Sequence, residues 1–314
     1  MTDSPQPAQS PQPTAVTLYV GGTGRSGSTL LAGALGGAPG AVDVGEVRFL
    51  WERGLMEQRL CGCGQPVPQC PFWTEVLNRA FGTERPDSAR LHAALTRATR
   101  LRRLPSWLAR RPPPVALART LRSLYAAIAE VAGADVVIDS SKLPTYAALL
   151  AALGRPEVRL VHVVRDPRAS AFSWASAKAA PDAREGLMEQ RGVVKSALLW
   201  LVWNLALEAL WRGRGRYLRV RYEDLAAAPA DVLAAVAAHA GLPAKPPLAT
   251  GQRLTLPPNH TVAGNPSRLR PGPTWVRRDD RWLTGLAPKQ RRLVTALTAP
   301  ALRRYGYPVR WGGR

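Results

Sequence analysis

Residues 16–35 read VTLYVGGTGRSGSTLLAGAL: an apolar run, a turn rich in glycine and small hydroxyls, and an Ala/Leu stretch. A short apolar run bounded by glycine reads as a buried strand, here over residues 16–20. The Ala/Leu stretch predicts a helix over residues 28–35, stopped by Gly36-Gly37. Between them, Gly22, Gly24 and Gly27 let backbone N–H groups converge on the helix N-terminus, where the helix dipole favours negative charge. Ser28 and Thr29 add hydroxyl donors. The turn therefore predicts a cradle for a phosphate-sized anion and an α/β architecture around it.

The rest of the chain repeats the strand-to-helix rhythm. Residues 42–60 hold a second short strand or loop and a helix at about 49–58. Residues 135–138 (DVVI) form a strand that enters DSSKLP and a helix running to about residue 153. Residues 159–164 (RLVHVV) form another strand and enter RDPRAS, where Asp166 caps the next helix and Pro167 fills its first turn. A long helix is expected over 187–211, with Trp200, Trp203 and Trp211 at helical spacing and mostly in the core. A strand over 217–220 precedes RYEDL, and helices follow over 230–240 and 288–303; residues 241–278, rich in Pro, Gly and Arg, read as irregular. Strands separated by helices predict a central, mostly parallel sheet with helices on both faces, a three-layer α/β fold. Residues 1–15 read as a disordered Pro/Gln/Ser tail. Residues 16–314 read as a single domain, with an Arg/Pro-rich helical insertion at about 81–123 outside the sheet.

The chain has 314 residues, 46% of them apolar, which suffices for a sizeable core and excludes a disordered or collagen-like protein. Its 43 Lys and Arg against 22 Asp and Glu give a net charge of +21. Such a field favours anionic partners without choosing among them. No helix-turn-helix or zinc-finger spacing supports a specific nucleic acid, so the arginines of 97–122 read as a solvated face or one turned to an anionic acceptor. The N-terminus lacks the basic start and apolar core of a signal peptide. No stretch reaches eighteen uninterrupted apolar residues, so no membrane span is expected and the chain reads as cytoplasmic. Cys61, Cys63 and Cys70 lie in CGCGQPVPQCPFW. Three thiols with no evident fourth ligand predict no metal, and the element reads as a compact lid or substrate wall anchored by Phe72 and Trp73.

Arg165 closes the strand 159–164 and Ser173 lies two turns into the next helix. Ligands of open parallel sheets bind beyond the carboxyl ends of the strands, so Arg165 shares an edge with the glycine-rich turn. A guanidinium fork and a hydroxyl suit a second phosphate. Together the two loops imply a ligand with two separated anionic groups. Gly22 and Gly27 match the glycines of a GxxxxGK[ST] nucleotide loop, but Ser28 stands in the lysine position and Arg25 is the nearest cation. An atypical P-loop kinase is thereby weakened, though it stays as an alternative, as does a basic nucleic-acid-binding protein. A GxGxxG dinucleotide site is weaker still, with only Asp43 and Glu46 as acidic ribose ligands.

These blocks resemble the sulfotransferases that use 3'-phosphoadenosine 5'-phosphosulfate (PAPS), a family whose fold resembles the P-loop kinases. GRSGSTLL at 24–31 is similar to the family's loop for the 5'-phosphosulfate. VVRDPRASAFS at 163–173 is similar to its 3'-phosphate element, with Arg165 and Ser173 at the family's spacing. YEDL at 222–225 has a counterpart, and HTVAGNPSRLR at 260–270 looks like the final nucleotide loop, although the glycine/lysine pattern of the cytosolic steroid and phenol enzymes is missing. The match is closer to the bacterial and Golgi-like branches.

The resemblance implies a P-loop kinase-like fold and PAPS as co-substrate, with no metal. It implies that Gly24, Arg25, Ser26, Gly27, Ser28 and Thr29 hold the phosphosulfate, and Arg165, Ser173, Gly264 and Arg268 the 3'-phosphate. Arg25 would clamp the leaving group. Glu46 is the candidate base, by similarity to a GE-x-x-R stretch of tyrosylprotein sulfotransferases in which Arg48 is shifted by one. Lys142 precedes Leu143-Pro144 where cytosolic enzymes place a catalytic histidine, and would stabilise the bridging oxygen, oriented by Ser140 or Ser141. None of the histidines is expected as a base: His162 lies in a strand, His92 and His239 lie on helices, and His260 opens the final loop near the ligand. The acceptor would be a hydroxyl or amine on a small molecule, carbohydrate or lipid. The sequence does not give the oligomeric state.

Overall fold

A computed structural model describes residues 15–182, 186–243 and 249–309; residues 1–14 of the predicted tail lie outside the described residues. Five strands form the central sheet: β1 (Val16–Gly22), β2 (Ala41–Gly45), β3 (Val136–Lys142), β4 (Glu157–Val164) and β5 (Tyr217–Arg221). Their order is β2-β3-β1-β4-β5, and every pairing is parallel. β1 lies at the centre because it is apolar on both faces, which suits a strand covered by helices on each side.

Side chains alternate across the sheet with the period of two that a strand imposes. Leu18, Val20, Val136, Ile138, Val161 and Val163 face one layer, formed by α1 (Ser28–Leu35), α9 (Tyr222–Ala227) and α10 (Pro229–Ala240). Tyr19, Val137 and Leu160 face the other. That second layer contains α2 (Pro71–Phe81), α3 (Ser88–Thr99), α4 (Leu104–Leu108), α5 (Val115–Ala132) and α6 (Pro144–Ala151). Trp51, Trp73, Tyr125 and Tyr146 are its largest fully buried side chains. The region at 81–123, expected as an insertion, is helical and off the sheet, but Leu91, Leu95, Trp107 and Leu121 belong to this same core cluster.

α7 (Pro167–Ala175) packs on α8 (Val193–Trp211), and α12 (Pro288–Arg304) packs on both; α11 (Trp282–Gly285) touches α7. By length and composition α8 is long and apolar enough to cross a membrane. Here it lies against β1, β4, α6, α7 and α12. Trp200 and Trp211 are buried, whereas Val194, Leu198, Val202 and Leu205 are exposed.

Four expectations change. β3 runs on through Asp139, Ser140, Ser141 and Lys142, because those residues pair with β1 up to Gly21 across a register shift. The segment at 49–58 is not an α-helix: Val47–Phe49 is a 3-10 turn and Leu50–Met56 a π-helix. α8 starts only at Val193, since the residues before it pair back on the segment after α7, Met188 N–H donating to Lys178 O (2.9 Å) and Ala180 N–H to Gly186 O (2.8 Å). Residues 241–278 are not wholly irregular: β6 (Ala249–Thr250), β7 (Arg253–Leu256) and β8 (Gly272–Trp275) form an antiparallel sheet. Leu254 and Leu256 of β7 are buried beside α1 and α10 while Arg253 and Thr255 are exposed. That alternation is only four residues long and ends at Pro257-Pro258, too short to outweigh the surrounding Pro and Gly.

Leu31 is fully buried where α1 meets the sheet. Leu31→Ala is expected to lower unfolding stability by about 2–5 kcal/mol, read from the midpoint of urea denaturation at unchanged slope. A loss under about 1 kcal/mol would contradict the packing described.

Candidate active site

In a parallel sheet all carboxyl ends lie on one edge, and here each strand delivers a polar element there. β1 opens into Gly24–Thr29, β2 into Glu46, β3 ends on Lys142, β4 is followed by Arg165 and β5 by Tyr222. Apart from Ser26, these residues line one cleft of about 1620 Å³.

The glycine-rich turn is shaped by close approaches. Gly27 caps α1 at φ 91°, and a Cβ there would meet the Tyr222 ring at 2.5 Å. Its positive φ and the ring both require glycine. Ser26 Oγ turns inward and donates to Thr23 O (2.7 Å), while Ser28 and Thr29 line the cleft. The Arg25 guanidinium lies over the Trp174 ring, 4.9 Å from its centroid. Burial and the neighbouring Arg191 pull Arg25 below the usual guanidinium range.

Arg165 donates from one guanidinium nitrogen to Arg25 O (2.9 Å) and from another to Asp279 (2.9 Å), and lies over Tyr222 at 4.6 Å. Hydrogen bonds from Arg281 and Arg165 hold Asp279 well below the usual carboxylate range. Ser173 Oγ accepts from Lys178 Nζ at 3.1 Å. Burial, together with Arg25, Arg165 and Arg281, pulls Lys178 down to about 8. Nε and Nη2 of Arg25 and Nε of Arg165 are buried with no hydrogen-bond partner among the described residues. Arg25, Arg165, Lys178 and Arg281 concentrate positive charge on one wall of the cleft, which suits an anion.

Glu46 and Lys142 form an ion pair at the floor, and Lys142 also donates to Ser140 O (3.0 Å). Both are nearly buried, at 7% and 8% exposure. Each is aimed by a carboxylate on its own strand: Asp43 accepts from Gly45 N–H (3.0 Å) and Asp139 from Ser141 N–H (2.7 Å), local bonds that turn a strand end. Burial lifts Asp43 to about 7 and Asp139 to about 6. Ser141 Oγ accepts from Arg48 N–H (3.1 Å), so Ser141 orients the backbone beside Glu46 and not Lys142 itself.

The final loop is zipped to the edge of β2. Glu46 N–H donates to Val262 O (2.7 Å), and Val262 N–H to Val44 O (3.0 Å). Gly45, at φ 72°, admits this contact, since a Cβ would lie 2.6 Å from Val262 O. Gly264 thereby comes beside Glu46 and Thr29: a Cβ built on it would lie 3.4 Å from Glu46 Oε1 and 3.7 Å from Thr29 Oγ1.

The cleft therefore gathers Gly24, Arg25, Gly27, Ser28, Thr29, Glu46, Lys142, Arg165, Ser173 and Gly264. Two residues named from the sequence do not line it. Ser26 is fully buried. Arg268 turns its guanidinium to Thr261 O (3.0 Å), Leu60 O (2.7 Å) and Asp182 (2.6 Å), bracing the final loop from behind. Sequence reasoning missed Trp174, on the last turn of α7, and Lys178, Asp279 and Arg281, which lie on loops without a recognisable spacing. His162 is bonded to Tyr217 (2.8 Å) and Asn204 (2.7 Å), and burial pulls it down to about 4. His260 does not face the cleft; its Nδ1 points at Cys61 and Cys70.

The comparisons with known proteins agree with this geometry. The model of the sulfotransferase family matches residues 18–246. The fold is shared with the sulfotransferase domain of the Synechococcus PCC 7002 olefin synthase, with 20% identity and a TM-score of 0.51 over 98% of this chain and 100% of that one. It is shared as well with the sulfotransferase domain of the curacin biosynthetic pathway, with 17% identity and a TM-score of 0.51 over 94% and 99%. No curated protein matches the chain by sequence. A family match over most of its length, on a fold whose strand ends converge on one cationic cleft, means that this chain belongs to the sulfotransferase family.

Proposed function

We propose that the chain transfers the sulfuryl group of PAPS to a hydroxyl or amine of a small-molecule, carbohydrate or lipid acceptor. The observation that carries this reading is the gathering of three cations, Arg25, Arg165 and Lys178, around the glycine-rich turn in one cleft. One dianion on the turn and a second at Arg165, Ser173 and Lys178 would satisfy them. A nucleotide with phosphates on both its 3' and 5' positions carries two such groups.

In this reading the backbone of residues 26–29, with Arg25, holds the phosphosulfate. Arg165, Ser173 and Lys178 hold the 3'-phosphate. The acceptor oxygen or nitrogen attacks sulfur as the S–O bond to the 5'-phosphate breaks, and Glu46 takes the acceptor proton. Lys142 offers its ammonium to the bridging oxygen, where charge develops. Electrostatic stabilisation of this kind is the largest contribution in many enzymes. The acceptor would enter past Phe49, Met56 and Leu187, with Arg48 and Arg53 beside them; Arg53 lies over Phe49 at 4.0 Å. That wall suits an amphipathic acceptor.

Calorimetric titration with adenosine 3',5'-bisphosphate, beside 5'-AMP and ATP–magnesium, tests the donor site. The bisphosphate is expected to bind tightest, and Arg165→Ala to weaken it by about 10- to 100-fold, the loss of a charged hydrogen bond. Equal or tighter binding of ATP–magnesium would sink the reading. Glu46→Gln is expected to lower kcat by about 10²- to 10⁴-fold with bisphosphate affinity retained; unchanged turnover would remove Glu46 as the base.

Lys178 makes binding depend on pH. A dianion beside it favours the ammonium, so binding raises its pKa from about 8 and takes up protons. Affinity should fall as pH rises through that value. Titrations in buffers of different ionisation enthalpy should show this uptake, and Lys178→Met should abolish it. Equal heats in every buffer would contradict the placement of Lys178 at the anion.

A further inference from the structure

The segment CGCGQPVPQCPFW brings its three thiols to one point, and a histidine from far along the chain completes the set. The ligating atoms of Cys61, Cys63, Cys70 and His260 all lie within 4.8 Å of one another. Cys63 Sγ is 3.7 Å from Cys70 Sγ. His260 Nδ1 is 3.2 Å from Cys70 Sγ and 3.8 Å from Cys61 Sγ. A tetrahedral zinc with ordinary Zn–S and Zn–N bonds places sulfurs about 3.8 Å apart and sulfur and nitrogen about 3.6 Å apart. The sulfur–sulfur separation is close to its value, and the two sulfur–nitrogen separations bracket theirs. They are too long for a disulfide, and all three cysteines are free thiols.

We propose that Cys61, Cys63, Cys70 and His260 bind one zinc ion in a closed, structural site. Three thiolates and an imidazole are soft ligands that suit zinc, and four protein ligands leave no open position for chemistry. None of the four lines the cleft. Tight local bonds preset the ligands: Cys61 N–H donates to Gln65 O (2.7 Å), Gly64 N–H to Cys61 O (2.9 Å) and Cys70 N–H to Val67 O (3.2 Å). The His260 ring is fixed by stacking on Phe72, with centroids 4.8 Å apart and planes 13° from parallel, and Trp73 Nε1 donates to His260 O at 2.7 Å.

The site ties the cysteine segment to the final loop. Gly62 N–H donates to Thr261 O (3.0 Å), and the next residues of that loop reach Glu46 and Gly264. The metal would hold in place the loop that borders the candidate base. The proposal rests only on the four ligands, so it stands or falls apart from the donor reading.

The test is the metal content of the full chain, purified under reducing conditions without chelator or polyhistidine tag and measured by mass spectrometry. About one zinc per chain is expected. Cys61 and Cys70 are fully buried, and their loss could unfold the protein; Cys63 is exposed, so Cys63→Ser removes a ligand without opening the core. That variant should keep its far-ultraviolet circular dichroism and lower zinc affinity by at least about tenfold in a chelator competition. Cobalt added to the metal-free chain should give the visible bands of a tetrahedral thiolate site. Zinc below about a tenth per chain with no such bands, or an intact mass showing a disulfide, would overturn the proposal.

Discussion

Parallel pairing of β1 with β3 on one side and β4 on the other is the constraint on which everything functional depends. It puts the glycine-rich turn, Lys142 and Arg165 side by side on one edge, and β2 and β5 add Glu46 and Tyr222 to the same edge. None of these groups is near another in sequence. What brings them together is the burial of both faces of the sheet: Leu18 and Val20 against α1 and α10, and Tyr19 against α6. A one-residue slip in the β1 register would exchange these faces, burying no comparable surface.

The edge so built carries an excess of desolvated cations. Asp279 accepts from both Arg165 and Arg281, yet Lys178 and Arg25 are still pulled below their usual ranges by burial and by neighbouring guanidinium groups. Gathering such groups at one edge is costly unless an anion offsets their charge. At the floor the balance is different. Glu46 and Lys142 satisfy each other; the buried Asp43 accepts from Gly45 N–H, and Asp139 from Ser141 N–H and the Tyr125 hydroxyl. In the proposed function, anion binding and proton transfer fall to separate, adjoining parts of one cleft.

The elements legible in the sequence were those whose signals are local. The strand–turn–helix of residues 16–35 shows its glycines within a single turn, and Asp166-Pro167 marks the start of α7 directly. The alternation of β7 is too short to stand out among prolines. Lys178 is brought to Ser173 by a loop after α7, with no periodicity to announce it. Arg268 looked like a phosphate ligand by position, but the final loop folds so that its guanidinium meets backbone carbonyls and Asp182. His260 opens a loop that resembles a nucleotide loop, yet the tertiary fold turns it to the cysteines. In each case the deciding partner lies far away in sequence or on an irregular loop.

The most direct measurement of the central claim is a crystal structure of the chain with adenosine 3',5'-bisphosphate. The account predicts the 5'-phosphate within hydrogen-bond distance of the backbone N–H groups of residues 26–29, the 3'-phosphate on Arg165, Ser173 and Lys178, and Glu46 and Lys142 facing the space beyond the 5'-phosphate. A nucleotide bound away from the strand ends, or with its two phosphates exchanged, would contradict it.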